Sequence, residues 1–223
     1  MSIQDELKVY LLSQGATDVG FCRIFDGDFC ECNYGISVVV HLSDAIVDEI
    51  NEEPTHTYFN HYRSVNAFID SLLLKAGLFL DKKGYKYITV AASQSINKDG
   101  WHYKGRYSHK KVAALSGLGT IGKSSMFLHK KYGANVRLGS VFTNCEFDVS
   151  YIEPVSLCKG CNICVDACPS GAIKGREWSV DCSREDMFDP EKCSNYMKNK
   201  FKHIGRGAVC GICMKVCPYG KIK

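Results

Sequence analysis

The most restrictive feature of this 223-residue chain is a run of cysteines toward its C-terminal end, Cys158-Lys-Gly-Cys161-Asn-Ile-Cys164-Val-Asp-Ala-Cys168-Pro169. The spacing C-x2-C-x2-C-x3-C-P lets one short loop present three thiolates to an iron–sulfur cube, while the fourth cysteine, turned away at the proline, serves a second cube. A second set is therefore expected. Cys210-Gly-Ile-Cys213-Met-Lys-Val-Cys217-Pro218 supplies it, short of one thiolate. Cys193 is the expected remote ligand and Cys182 the alternative. With the fourth ligands exchanged, Cys158, Cys161, Cys164 and Cys217 would hold one [4Fe-4S] cluster, and Cys168, Cys193, Cys210 and Cys213 the other. Structural zinc also uses C-x2-C pairs, but four thiolates satisfy one zinc ion, and zinc chemistry gives no reason for a crossed C-x3-C-P ending. Cys22, Cys30, Cys32 and Cys145 read as small buried hydrophobes or idle thiols.

Thirteen cysteines in this length fall short of the roughly 8–10% that marks a disulfide scaffold, and an odd number cannot pair fully within one chain. The opening MSIQDELKVY lacks the basic start and apolar stretch of a secretory signal, and the apolar run 36–42 is far shorter than a membrane span. A cytoplasmic protein with no membrane partner is expected, its thiols kept reduced for metal or redox chemistry. The formal charge of +4 conceals a strong asymmetry. Residues 1–81 carry four basic and 13 acidic side chains, 82–137 carry 12 and one, 138–191 carry four and ten, and 192–223 carry eight and none. The two basic segments, 82–137 and 192–223, could attract the phosphates of a cofactor or of nucleic acid.

Hydrophobic spacing predicts a helix over residues 2–14, started by Ser2 and Asp5 and closed at Gly15. Strands are expected at 19–24 and 36–42, a long helix from 56 to 83, and a strand at 85–91. A short helix at 108–116 should precede a hairpin formed by 126–128 with 136–142 around residues 131–135. Mixed helices and strands make an α+β domain over 1–150. Periodicity fades over 151–223, a ferredoxin-like double [4Fe-4S] domain ordered by its ligands rather than by a core.

Between the two lies Gly117-Leu-Gly119-Thr-Ile-Gly122-Lys123-Ser124, which satisfies both G-x-G-x-x-G and G-x4-G-K-S. A phosphate-binding loop leaves a strand and enters a helix, whereas here a helix precedes the glycines and a strand follows. Nucleotide hydrolysis is therefore not the expected reading. The ordered combination of Ala114-Leu-Ser-Gly117-Leu-Gly-Thr-Ile-Gly-Lys123, Tyr132-Gly133-Ala-Asn-Val-Arg137-Leu-Gly-Ser-Val-Phe-Thr143-Asn and the two cysteine sets resembles the epoxyqueuosine reductase family. Similarity to reductive dehalogenases is more distant. The resemblance covers residues 80–223 well, and the first 80 residues in element order only.

That resemblance implies a nitroreductase-like, cobalamin-binding α+β domain joined to a two-cluster module that feeds electrons to the cobalt, for reduction of an epoxide-type substrate in queuosine tRNA modification. It implies an external low-potential electron donor, and tRNA as a partner of the basic segments. Gly117, Gly119 and Gly122 would let backbone approach the large ring, with Lys123, Ser124 and Arg137 contacting its amides or phosphate. Where family members carry an acid, this chain has Tyr103, and Tyr103, Tyr107 and His109 are the candidate proton donors. Two other readings keep the clusters: an electron-transfer protein without substrate chemistry, and a reductive dehalogenase-like small-molecule reductase.

Overall fold

The computed structural model describes residues 1–98, 101–151 and 153–219. The chain divides into two compact units, the first of residues 1–41, 65–119 and 137–153, the second of 42–64, 120–136 and 154–223. A chain cut at 150 would leave 42–64 and 120–136 with the first unit, whereas both segments pack with the cysteine-rich end.

The first unit begins with α1 (Ile3–Ser13), whose Ser2 forms the expected capping box with Asp5. Strands β1 (Asp18–Arg23) and β2 (Tyr34–His41) pair antiparallel, from Asp18 opposite Val39 to Arg23 opposite Tyr34. All six inner residues of β2 are buried, as an uninterrupted apolar run between two covered faces requires. With β3 (Tyr87–Val90) and β8 (Val136–Thr143) these strands form one sheet in the order β1-β2-β8-β3. Helix α3 (His56–Lys82) covers one face with its residues beyond 64. A Cβ at Gly139 of β8 would fall 2.4 Å from Ile69 Cγ2 and 2.9 Å from Leu73 Cδ1. Period-two alternation turns Phe142 to the other face, where it packs with Cys22, Val90, Phe29 and Val112 of α4 (His109–Leu115). Glycine at 139 is thus what lets helix and sheet close, and Gly139→Ala is expected to cost about 1–3 kcal/mol in urea unfolding through overpacking. An unchanged midpoint would show that α3 can retreat freely.

The pairing of residues 126–128 with 136–142 expected from the sequence does not form. β7 (Phe127–His129) pairs with β6 (Gly119–Ile121), and β8 enters the four-stranded sheet. Only a sheet covered on both sides can bury nearly the whole of β8, seven of whose eight residues are buried. The turn at 122–125 is tight, with Ser125 N–H donating to Gly122 O at 2.8 Å and Gly122 N–H to Met126 O at 2.9 Å. A further hairpin, β4 (Ile96–Lys98) with β5 (Trp101–Lys104), was not foreseen.

The second unit gathers α2 (Asp44–Asp48), the first turns of α3, the β6–β7 turn, and four short helices. These are α5 (Ile163–Asp166), α6 (Arg184–Met187), α7 (Pro190–Lys200) and α8 (Ile212–Lys215), with a 3-10 turn at Gly205–Gly207. Four-residue helices offer too little apolar surface for a core of their own. Ile50 and Tyr58 supply some, lying against Gly211 at the head of α8, and Lys215 Nζ ties α8 to Asp48 through its carbonyl at 2.9 Å and its Oδ1 at 2.6 Å. Among the described residues, no helix is long and apolar enough to cross a membrane.

Candidate iron–sulfur centre

Two loop-and-helix repeats carry the cysteines. In the first, Cys161 N–H returns to Cys158 O at 3.1 Å, Gly160 takes a left-handed φ of 69°, and Cys164 sits in α5. In the second, Gly211 at φ 85° starts α8, which carries Cys213, and Cys217 N–H closes on Met214 O at 3.2 Å. Helices α5 and α8 pack against each other, bringing the repeats together. The Tyr219 hydroxyl donates to Leu157 O, joining the end of the second repeat to the start of the first.

Electrostatics sorts the thiols. Burial pushes Cys217 up to about 11, and the thiols it feels are Cys158, Cys164 and Cys161 of the other repeat. Burial likewise raises Cys193 to about 12, with Cys210 and Cys168 adding to it. Cys213 is raised by burial and then by Cys210, Cys193 and Cys168, with Cys164 its weakest neighbour. Cys168 is the exception. Burial raises it, but the Ser170 hydroxyl and the N–H groups of Ala172, Ser170 and Ile173 outweigh that and hold it below the ordinary thiol range. Cys217 thus takes its thiol neighbours from the first repeat, and Cys193 and Cys213 share Cys210 and Cys168.

Cys182 stands apart, hydrogen-bonded to Ser179 N at 3.4 Å, Ser179 Oγ at 3.3 Å and Glu177 O at 3.7 Å. Among the described residues, no three His, Cys, Asp or Glu side chains gather closely enough to hold one metal ion. A four-iron cube asks for a different arrangement, one thiolate at each of four separate irons. The donor set of two soft-sulfur fours suits two such cubes.

The glycine segment is divided. Gly117 ends α4 at φ 69° within the first unit, whereas Gly122, Lys123 and Ser124 lie buried in the β6–β7 turn of the second. A Cβ on Gly122 would stand 2.8 Å from Leu128 Cδ1 and 3.2 Å from Cys158 Sγ. Lys123 donates its N–H to Cys158 Sγ at 3.5 Å and its Nζ to Asn162 Oδ1 at 2.9 Å. These residues, read from the sequence as contacts to a large ring, are placed beneath the first cysteine loop. Arg137 Nε donates to Asn66 Oδ1 at 3.0 Å, and Gly119 opens β6.

Each candidate proton donor is placed in the first unit. His109 is half-buried, with Nε2 3.1 Å from Ala91 O and Nδ1 2.9 Å from Ser140 Oγ. A carbonyl can only accept, so Nε2 carries the proton and Nδ1 accepts from Ser140. Burial holds this imidazole down at about 4, with Arg137 and Lys110 also lowering it and Ala91 O and Asp70 opposing. The Tyr107 hydroxyl donates to Asp26 Oδ1 at 2.6 Å, and burial followed by that carboxylate raises its pKa. Asp26 also meets Lys111 Nζ at 2.5 Å. Burial works against the Asp26 charge, but Lys111 and Tyr107 hold its carboxyl below the usual range. Tyr103, 38% exposed, sits on β5 with a left-handed φ of 58°, an uncommon backbone for a residue with a side chain.

The basic segment 82–137 is partly answered within its own unit. Lys83 pairs with Glu6 at 2.9 Å, Lys86 with Glu31 at 2.7 Å, and Lys111 with Asp26.

Residues 157–220 match the 4Fe-4S double cluster binding domain family, so this region is a two-cluster domain. The chain is 33% identical over 122 residues to the epoxyqueuosine reductase of Lactococcus garvieae, a match covering 49% of this chain and 31% of that protein. The chain thus spans about a third of the length of that relative. A solved epoxyqueuosine reductase with an epoxyqueuosine-modified tRNA stem loop superposes with a TM-score of 0.62 at 19% identity, covering 99% of this chain and 66% of that one. A reductive dehalogenase described for B12-dependent dehalogenation superposes at 0.67 and 19% identity, covering 95% and 31%. The α+β fold is the one these proteins share.

Proposed function

We propose, from the premise that the chain belongs with the epoxyqueuosine reductases in sequence and fold, that it is a two-cluster, cobalamin-dependent reductase acting on an epoxide-type substrate in queuosine modification of tRNA. The 4Fe-4S double cluster binding domain match over residues 157–220, with α5 packed on α8, carries the iron–sulfur half of this reading. Cys158, Cys161, Cys164 and Cys217 would hold one cluster, and Cys168, Cys193, Cys210 and Cys213 the other. An external low-potential donor supplies the electrons. When bound, the clusters provide one-electron relay sites and the corrinoid a nucleophilic metal centre.

This chain's own residues then orient the corrinoid and manage the proton. In the first unit, Gly117 and Gly119 offer backbone free of side chains, and Arg137 a cation for an amide or phosphate. A corrinoid fits the donor types left there, since the downstream half of the glycine segment is engaged with Cys158. Of the three candidate proton donors, Tyr103 is the most exposed, and it is the donor we assign. Exposed Lys192, Lys200, Lys202 and Arg206 offer contacts to tRNA phosphates.

One observation favours a second reading, an electron-transfer protein without substrate chemistry: His109 and Tyr107 are both tied into internal hydrogen bonds. Anaerobic purification and reconstitution with hydroxocobalamin separate the two. About eight iron atoms per chain with a bound corrinoid spectrum, and reduction of epoxyqueuosine-containing tRNA, support the enzyme. Iron without corrinoid binding leaves the electron-transfer reading, and zinc in place of iron removes both.

A further inference from the structure

We propose that Lys123 tunes the first cluster, its backbone N–H and buried ammonium together raising the potential at which the centre held by Cys158, Cys161, Cys164 and Cys217 accepts an electron. This rests on the reading of those four cysteines as ligands. Lysine is almost never buried unless paired, yet Lys123 is 7% exposed, and among the described residues no carboxylate lies within ion-pair distance of it. Its ammonium is held instead by a neutral amide, Asn162 Oδ1, at 2.9 Å.

Asn162 stands between Cys161 and Ile163 at the N-cap of α5, where an Asn side chain ordinarily accepts a backbone N–H of the first turn. It makes no such bond, and its oxygen faces Lys123. The loop therefore gives up a helix cap to hold a cation beside its own thiols. The same turn delivers an N–H to Cys158 Sγ at 3.5 Å, and Gly122, with no side chain, permits that approach. Adding an electron to a cluster adds negative charge. A buried positive charge and a hydrogen bond to a ligating sulfur both favour the reduced form, and net charge and sulfur hydrogen bonds are the levers that set cluster potentials.

The test is a dye-mediated redox titration of the purified holoprotein, with dithionite supplying one electron per cluster and the reduced signal followed by electron paramagnetic resonance. In Lys123→Met, one of the two potentials should shift negative, lowering its reduced-to-oxidised ratio about tenfold at fixed ambient potential, which is about 59 mV for one electron. The other cluster should hold its value, and Lys123→Arg should stay close to the unaltered protein. Asn162→Asp keeps the tether but neutralises the cation, and should reproduce the negative shift. If Lys123→Met fails to retain its first cluster, Asn162→Asp decides. Full iron with both potentials unmoved in Lys123→Met, or an unmoved potential in Asn162→Asp, overturns the proposal. An unaltered protein without iron refutes the cluster reading beneath it instead.

Discussion

Replacing Cys193 by alanine should halve the iron of the anaerobically purified protein, from about eight to about four atoms per chain, while Cys182→Ala leaves it whole. The two cysteines are the only rivals for the ligand missing from the second repeat, and they lie on different supports. Cys193 belongs to the first half of α7, a helix started by Asp189, whose carboxylate accepts from Glu191 N–H at 3.1 Å and Lys192 N–H at 3.0 Å. Burial raises its thiol, and Cys210 and Cys168 are the thiols that add to the shift. Cys182 is held in its own turn by Ser179 and Glu177. Iron and acid-labile sulfide, read alongside the spectrum of the remaining cluster, give the result. Loss of iron in Cys182→Ala with retention in Cys193→Ala would reverse the assignment. Because metal binding is folding energy for such a module, Cys193→Ala should also loosen α7 and the 3-10 turn behind it, visible as faster backbone hydrogen exchange over 190–207.

The two-cluster domain was legible because iron–sulfur ligation is written in local cysteine spacing. The first helix was equally plain, since Ser2 and Asp5 satisfy each other's backbone groups without help from elsewhere. What escaped was non-local. Residues 42–64 and 120–136 look in sequence like parts of the first domain, and nothing nearby says that Ile50 and Tyr58 will be needed against Gly211. The partner of β8 was misjudged for the same reason: a short connection favours a hairpin, but the burial of β8 along nearly its whole length favours the sheet. The β4–β5 hairpin did leave a signal, the pair Asp99-Gly100, which lies outside the described residues. Lys123 was read as a ligand contact because the glycine segment resembles a ring-binding loop, and only the turn geometry shows its ammonium and N–H directed to the cysteine loop.

His109 gives the second large effect, a loss of stability on mild acidification. Folded, its pKa is about 4, because burial, with Arg137 and Lys110 nearby, favours the neutral ring more than Ala91 O favours the charged one; unfolded, it returns to about 6.5. The unfolded chain therefore binds more protons between these values, so stability rises with pH across the window and falls as pH drops through 6.5 toward 4. The expected loss is about 1 kcal/mol between pH 7.5 and 5.5, growing to about 3 kcal/mol by pH 4. Carboxylates held low, such as Asp26, add their own losses only at more acidic values, and comparison with His109→Gln separates this imidazole from the other histidines. His109→Gln keeps an amide that can donate toward Ala91 O and accept from Ser140 while removing the titration. It should be less stable at pH 7.5 through imperfect fit, yet show a flat profile down to pH 5.5 in urea unfolding. If the unaltered protein and His109→Gln lose stability in parallel over that range, the imidazole titrates in the fold as it does in the unfolded chain. Tyr103 would then lose its standing as sole proton donor, since a His109 that protonates near neutral pH could also give up one proton.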